Sequence, residues 1–123
     1  NTFNLLDKKN ELTKDLSKGM KQKVSIIMSL IHNPDYLLID EPFVGLDPNG
    51  IKEFREMLHS IKLLNKTILV STHILSSIDE ISDTIILMKN GKIIDSGNKK
   101  LLKEKYNEDG TLEDLFFKII DNT

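Results

Sequence analysis

Tyr36-Leu37-Leu38-Ile39-Asp40-Glu41-Pro42 is the stretch on which the reading of this chain turns. Four apolar positions in a row end in two adjacent carboxylates. A short, nearly continuous apolar run of this kind spells a strand buried on both faces, as in a parallel sheet. Thr67-Ile68-Leu69-Val70-Ser71 repeats the signal about thirty residues on. Between them Asp47-Pro48 starts a helix, with a capping carboxylate followed by proline at the first helical position. Ile51, Phe54, Leu58 and Ile61 supply that helix with an apolar stripe. Strand, helix and strand in that order spell an α/β fold with a parallel sheet flanked by helices.

Working outward, Ser17 caps a helix over 18–32 whose apolar positions are Met20, Val24, Ile27, Met28 and Ile31, and Asn33-Pro34 stops it. The lysine-rich stretch 1–16 carries only scattered apolar positions. Downstream, a helix is expected over Ile74–Ile81, then an apolar strand at Thr84–Met88. Asn90-Gly91 is a favoured two-residue hairpin turn, because both residues tolerate positive φ, and Lys92–Asp95 returns as the antiparallel partner. A helix capped by Thr111 closes the chain, with Leu112, Leu115, Phe116 and Ile119 on one face; simple packing and a docking or regulatory role are both open to this tail. No internal repeat or low-complexity segment interrupts this order.

Composition narrows the class. The 123 residues include 17 basic and 19 acidic side chains, for a net charge of −2, with 39% apolar and 29% charged residues. That balance suits one soluble globular domain and gives no sign of a nucleic-acid-binding surface. The absence of cysteine excludes disulfides, thiolate metal sites and cysteine nucleophiles. No apolar run approaches the roughly 18 residues of a membrane span, and no signal peptide is visible. The chain begins with Asn1, not methionine, which leaves room for an upstream segment.

Three stretches carry chemistry. Asp40 and Glu41 fall where a strand of a parallel sheet emerges, the end at which α/β folds place their ligands. Asp40 on a magnesium ion and Glu41 accepting a proton from water would give both acids a role; as solvated turn acids they would have none. Ser17-Lys18-Gly19 sits at a helix N-terminus, where free backbone N–H groups and a glycine permit close approach of a phosphate. Its plain reading is a capped helix with a solvated lysine face. His73, in Ser71-Thr72-His73 after the second strand, is placed to contact a phosphate or orient water, or else to serve as a structural hydrogen-bonder. His32 and His59 lie in expected helices with no partnering motif.

In combination these stretches resemble the second half of an ABC-type ATPase cassette, a P-loop NTPase-like domain. Leu16-Ser17-Lys18-Gly19-Met20 looks like the signature motif, Tyr36–Glu41 like the Walker B strand with its following glutamate, Gly45-Leu46-Asp47 like the D-loop, and His73 like the H-loop histidine. The match spans about 15–97. Two signature positions depart from the family, which usually has glycine at Lys18 and glutamine at Met20; the Met-Lys-Gln continuation resembles cassettes of bacterial drug or peptide exporters.

The resemblance implies an ATP- and Mg2+-dependent ATPase subunit of a transporter. Asp40 would hold the metal, and Glu41 and His73 would be catalytic. Ser17, Gly19 and Asp47 would be nucleotide-facing across a head-to-tail pair of cassettes. It further implies membrane permease partners, a peripheral position on the cytoplasmic face, and no nucleic-acid partner. By the same token 1–35 is the end of a helical subdomain, 36–97 the core with its hairpin, and 98–123 a helical tail.

The family's phosphate loop, G-x-x-x-x-G-K-S/T, does not occur in the chain, whose single Gly-Lys pair is Gly91-Lys92 in the hairpin turn. The expectation is therefore a partial cassette, inactive alone and prone to self-association through exposed strand edges. Alternatives are a ribosome- or chromosome-associated ATPase with the same motifs, or a non-catalytic interaction module. Helicases also carry Asp-Glu after a strand, but not the signature or Gly-Leu-Asp segments.

Overall fold

The computed structural model describes residues 16–121. They fall into two compact units that meet in sequence between Ile74 and Leu75.

The first unit holds α1 (Lys18–Leu30), β1 (Tyr36–Asp40), α2 (Pro48–Lys62) and β2 (Thr67–Ser71). Ser17 caps α1 by accepting a hydrogen bond from the Met20 N–H at 3.2 Å. Asn33, at φ 49°, turns the chain out of the helix just before Pro34. Asp47 caps α2 through the Gly50 N–H at 2.8 Å, with Pro48 at the first helical position as the sequence predicts. β1 and β2 pair in parallel across the α2 crossover, from Tyr36 opposite Thr67 to Asp40 opposite Ser71. Phe54, Met57, Leu58 and Ile61 bury the inner stripe of α2, and Phe43 meets Phe54 edge to face at a centroid distance of 5.5 Å. Such a pair adds about 0.5–1.5 kcal/mol beyond its buried area.

Two expectations for this unit are corrected. β1 is buried on one face only: Leu37 is covered and Ile39 half covered, whereas Tyr36 and Leu38 are 71% and 78% exposed. Leu69, opposite Leu38, is also exposed. Among the described residues the sheet has two strands, and α2 packs on one side of it. The buried face of α1 also differs from the apolar stripe. Lys23 and Ile26 are buried, while Met28 and Ile31 are exposed, because α1 turns the side carrying Gly19 and Lys23 toward α2 and the loop before it.

The second unit holds α3 (Leu75–Ile78), β3 (Thr84–Lys89), β4 (Lys92–Asn98), α4 (Lys99–Tyr106) and α5 (Leu112–Asp121). Asn90 and Gly91 both take positive φ, 51° and 74°, so the hairpin turn forms as expected. β4 runs three residues beyond the expected Asp95, after a bulge in which Leu87 pairs with Asp95 but Met88 pairs with Ile93. The helix expected over 74–81 is cut to Leu75–Ile78. The Asp79 N–H still donates to the Leu75 carbonyl, while its carboxylate accepts from Lys99 Nζ at 3.0 Å and from the Leu112 N–H at 3.1 Å. α4 went unread because its eight residues offer only Leu101, Leu102 and Tyr106 as apolar positions.

Ile85, Leu87, Leu102, Leu112, Leu115 and Ile119 form the second unit's core, with Phe116 and Tyr106 against its margin. Thr111 and Asp114 exchange hydrogen bonds at the start of α5, satisfying its free N–H groups. The tail thus packs on the hairpin, as the plain reading had it. The stretch 1–15 lies outside the described residues.

Candidate functional site

The carboxyl ends of β1 and β2 bring four side chains together. Asp40 and Ser71 are opposed in the parallel register, and the Ser71 hydroxyl donates to Asp40 Oδ1. One residue on, the Glu41 N–H donates to the Ser71 carbonyl at 2.9 Å, so Glu41 is gripped at the rim of the sheet. His73 Nδ1 lies 2.8 Å from Glu41 Oε1. The other carboxylate oxygen, Oε2, is buried with no hydrogen-bond partner.

The backbone at Glu41 is unusual too. Five non-glycine residues among those described have positive φ: Asn33, Asn65, Asn90, Asn107 and Glu41 at 44°. Asparagine visits this region readily because its short amide can bond the local backbone; glutamate does not. Glu41 thus combines a left-handed backbone with a buried carboxylate oxygen that no protein group satisfies.

Ser17, Gly19 and Asp47 form a second cluster. The N-termini of α1 and α2 open onto a cavity of about 460 Å3, also lined by Lys18, Lys23, Gly45, Asn49 and Glu53. Gly45, at φ 75°, occupies a conformation that disfavours any Cβ, and a Cβ there would run into the Lys18 ammonium. Lys18, the departure from the usual glycine, therefore lays its side chain over Gly45. At Gly19 a Cβ would come within 3.2 Å of Leu46 Cδ2, so glycine lets α1 approach the loop closely.

The sequence presents Asp40 and Glu41 on one stretch and His73 on another, with Ser17, Gly19 and Asp47 as expected nucleotide-facing residues; the fold brings each set together within the first unit. No sequence motif gives a role to Ser71, Lys23 or Glu53. Register opposite Asp40 was the available signal for Ser71. For the Lys23–Glu53 pair there was none, since its partners are thirty residues apart on different helices.

Among the described residues, the titratable groups with displaced pKa values belong to the second unit. Hydrogen bonds from Lys105 at 2.7 Å and Tyr106 at 2.6 Å hold Asp95 at a pKa of about 2. Burial opposes ionisation of Asp79, but the Lys99 ammonium and the Leu112 N–H outweigh it and lower its pKa. These are structural ties between the hairpin, α3 and the two tail helices.

Known proteins match this arrangement. The family model described as "AAA domain, putative AbiEii toxin, Type IV TA system" covers residues 4–79, more than half of the chain. The lantibiotic transport ATP-binding protein SrtF of Streptococcus pyogenes is 44% identical over 103 residues, which are 84% of this chain and 42% of that protein. The ABC transporter ATP-binding protein YthP of Bacillus subtilis, itself uncharacterized, is 38% identical over 120 residues, 97% of this chain and 51% of its own. A solved ATP-binding subunit of an ABC transporter superposes with a TM-score of 0.79 at 31% identity, covering 97% of this chain and 50% of that one. The chain belongs to the ATP-binding cassette family of P-loop ATPase domains. It spans about half the length of the relatives it matches.

Proposed function

We propose that this chain supplies the Walker B, signature and H-loop portion of a cassette that hydrolyses ATP to drive transport across a membrane. The observation that carries the proposal is Glu41, held at φ 44° with one oxygen against His73 and the other buried and unpaired. A carboxylate oxygen that no protein group satisfies is an acceptor reserved for a ligand, and a water attacking the γ-phosphate fits it. In this reading Glu41 takes the water's proton while His73 orients Glu41 and reaches the γ-phosphate. Ser17 and Gly19 bind the nucleotide held by a second cassette in a head-to-tail pair, and Asp47 joins the two sites.

Asp40 fits a magnesium ion. Among the described residues no group of three or more His, Cys, Asp or Glu could hold a metal unaided. Magnesium accepts this, since it keeps several waters and binds through one or two carboxylates plus substrate phosphates. Such an ion neutralises phosphate charge; Ser71, bonded to Asp40 Oδ1, fixes the orientation of the carboxylate that would hold it.

Domain limits of 1–35, 36–97 and 98–123, permease partners and a cytoplasmic-face position belong to the same proposal. No described helix is long and apolar enough to cross a membrane, which fits a subunit acting on membrane-embedded partners. Similarity to a lantibiotic transport protein favours a drug or peptide as cargo and export as the direction. The 123 residues alone lack a phosphate loop, so turnover is expected of the longer protein and not of this chain by itself.

The test is ATP turnover by the full-length subunit. Glu41→Gln should lower kcat by roughly 10²-fold or more and let an ATP-bound dimer accumulate. His73→Ala should lower kcat in the same direction. Wild-type turnover in Glu41→Gln would refute the assignment.

A further inference from the structure

Lys23 is one of two polar residues buried among those described, its side chain 9% exposed, and its ammonium bonds Glu53 Oε2. The mechanism proposed above uses neither residue. A buried ammonium is costly unless paired, so Glu53 is required once Lys23 is there. Their placement says more. Lys23 lies six residues beyond the α1 cap Ser17, and Glu53 six residues beyond the α2 cap Asp47. At 1.5 Å per residue both stand about 9 Å from their helix starts. The bond therefore joins the two helices at equal depth behind the two ends that face the cavity.

Met20, Leu46 and Phe54 supply the apolar lining around the pair. The space between the helix ends is the cavity of about 460 Å3, with Phe54 at its margin and Lys23 and Glu53 in its wall. Nearer the mouth α1 meets the loop before α2, with Gly19 facing Leu46 and Lys18 over Gly45. We infer that the Lys23–Glu53 pair is a positioning device, which sets the separation of the α1 and α2 N-termini so that Ser17, Gly19 and Asp47 meet nucleotide as one surface. The inference rests on the functional reading above. An apolar pair at these positions would draw the helices together and close the cavity; the ion pair holds them apart.

The decisive variant is the double substitution Lys23→Met with Glu53→Leu in the full-length subunit. Only Lys23 is buried and the Glu53 side chain is 57% exposed, so the pair itself adds little to stability and this variant tests position and not folding. The expected result is an unchanged or raised Tm and a KM for ATP within about threefold, with kcat lowered about tenfold or more. Misplacement of positioning groups by about 1 Å can cost 10²-fold. The charge swap Lys23→Glu with Glu53→Lys should restore kcat to within about threefold. An apolar double variant that turns over at the wild-type rate would overturn the inference, as would a folded charge swap as slow as the apolar variant. A wild-type subunit without ATPase activity would instead overturn the functional reading on which it rests.

Discussion

Glu41→Gly should make the protein more stable while destroying the site. Two terms favour the variant. Glutamate at φ 44° carries left-handed strain of about 1–2 kcal/mol that glycine does not. The buried, unpartnered Oε2 costs about 1–3 kcal/mol more in lost hydration. Two terms oppose it. The contact with His73, whose side chain is 72% exposed, contributes at most about 1 kcal/mol. Glycine also loosens the unfolded chain by about 0.5–1 kcal/mol. The net is a gain centred on about 2 kcal/mol, read as a urea midpoint raised by about 1 M if m is in the usual range for small proteins. The assay is urea unfolding of the 123-residue chain followed by circular dichroism, beside Glu41→Gln, which keeps the strained backbone and should gain less. A midpoint unchanged or lowered in Glu41→Gly would refute the reasoning, because it would make Glu41 an ordinary turn acid.

Three further outcomes follow from the packing. Asp95 is held at about 2 against an ordinary 3.8, so its ionised form stabilises the fold above about pH 4 and that contribution is lost as pH falls toward 2. Asp95→Asn should therefore flatten the decline of Tm over that range, measured by thermal melts in a pH series. Phe54→Ala, at a fully buried position against Phe43, should cost about 3–5 kcal/mol and lower the thermal midpoint sharply. Gly91→Ala, at φ 74° with nothing near its Cβ, should cost only the conformational term of about 1–2 kcal/mol, visible as faster amide exchange across the β3–β4 ladder.

Much of the fold was legible because its signals are local. Ser17, Asp47-Pro48, Asn90-Gly91 and Thr111 each satisfy or terminate their own backbone within a few residues, and all four appear where the sequence puts them. The errors have a common cause, in that each depended on a distant neighbour. The helix after His73 stops at Ile78, where Lys99 donates to the Asp79 carbonyl and carboxylate and the Leu112 N–H donates to the carboxylate, from twenty and thirty-three residues away. Leu38 is exposed because burial of a strand is decided by what lies on each face, and the run Tyr36–Ile39 is silent about that. Lys23 is buried on α1 ahead of Met28 and Ile31 because a charge thirty residues away receives it.

The candidate site divides the same way. Its residue types, their order and their attachment to strand ends and helix caps were set by the amino-acid sequence alone, since backbone capping and apolar periodicity act over one or two turns. Only the tertiary structure could show that Glu41 is strained, that one of its oxygens is buried without a partner, and that Lys23 and Glu53 pair across two helices. Strain, desolvation and ion pairing are properties of groups brought together from far apart in the chain, and they exist only once the chain has folded.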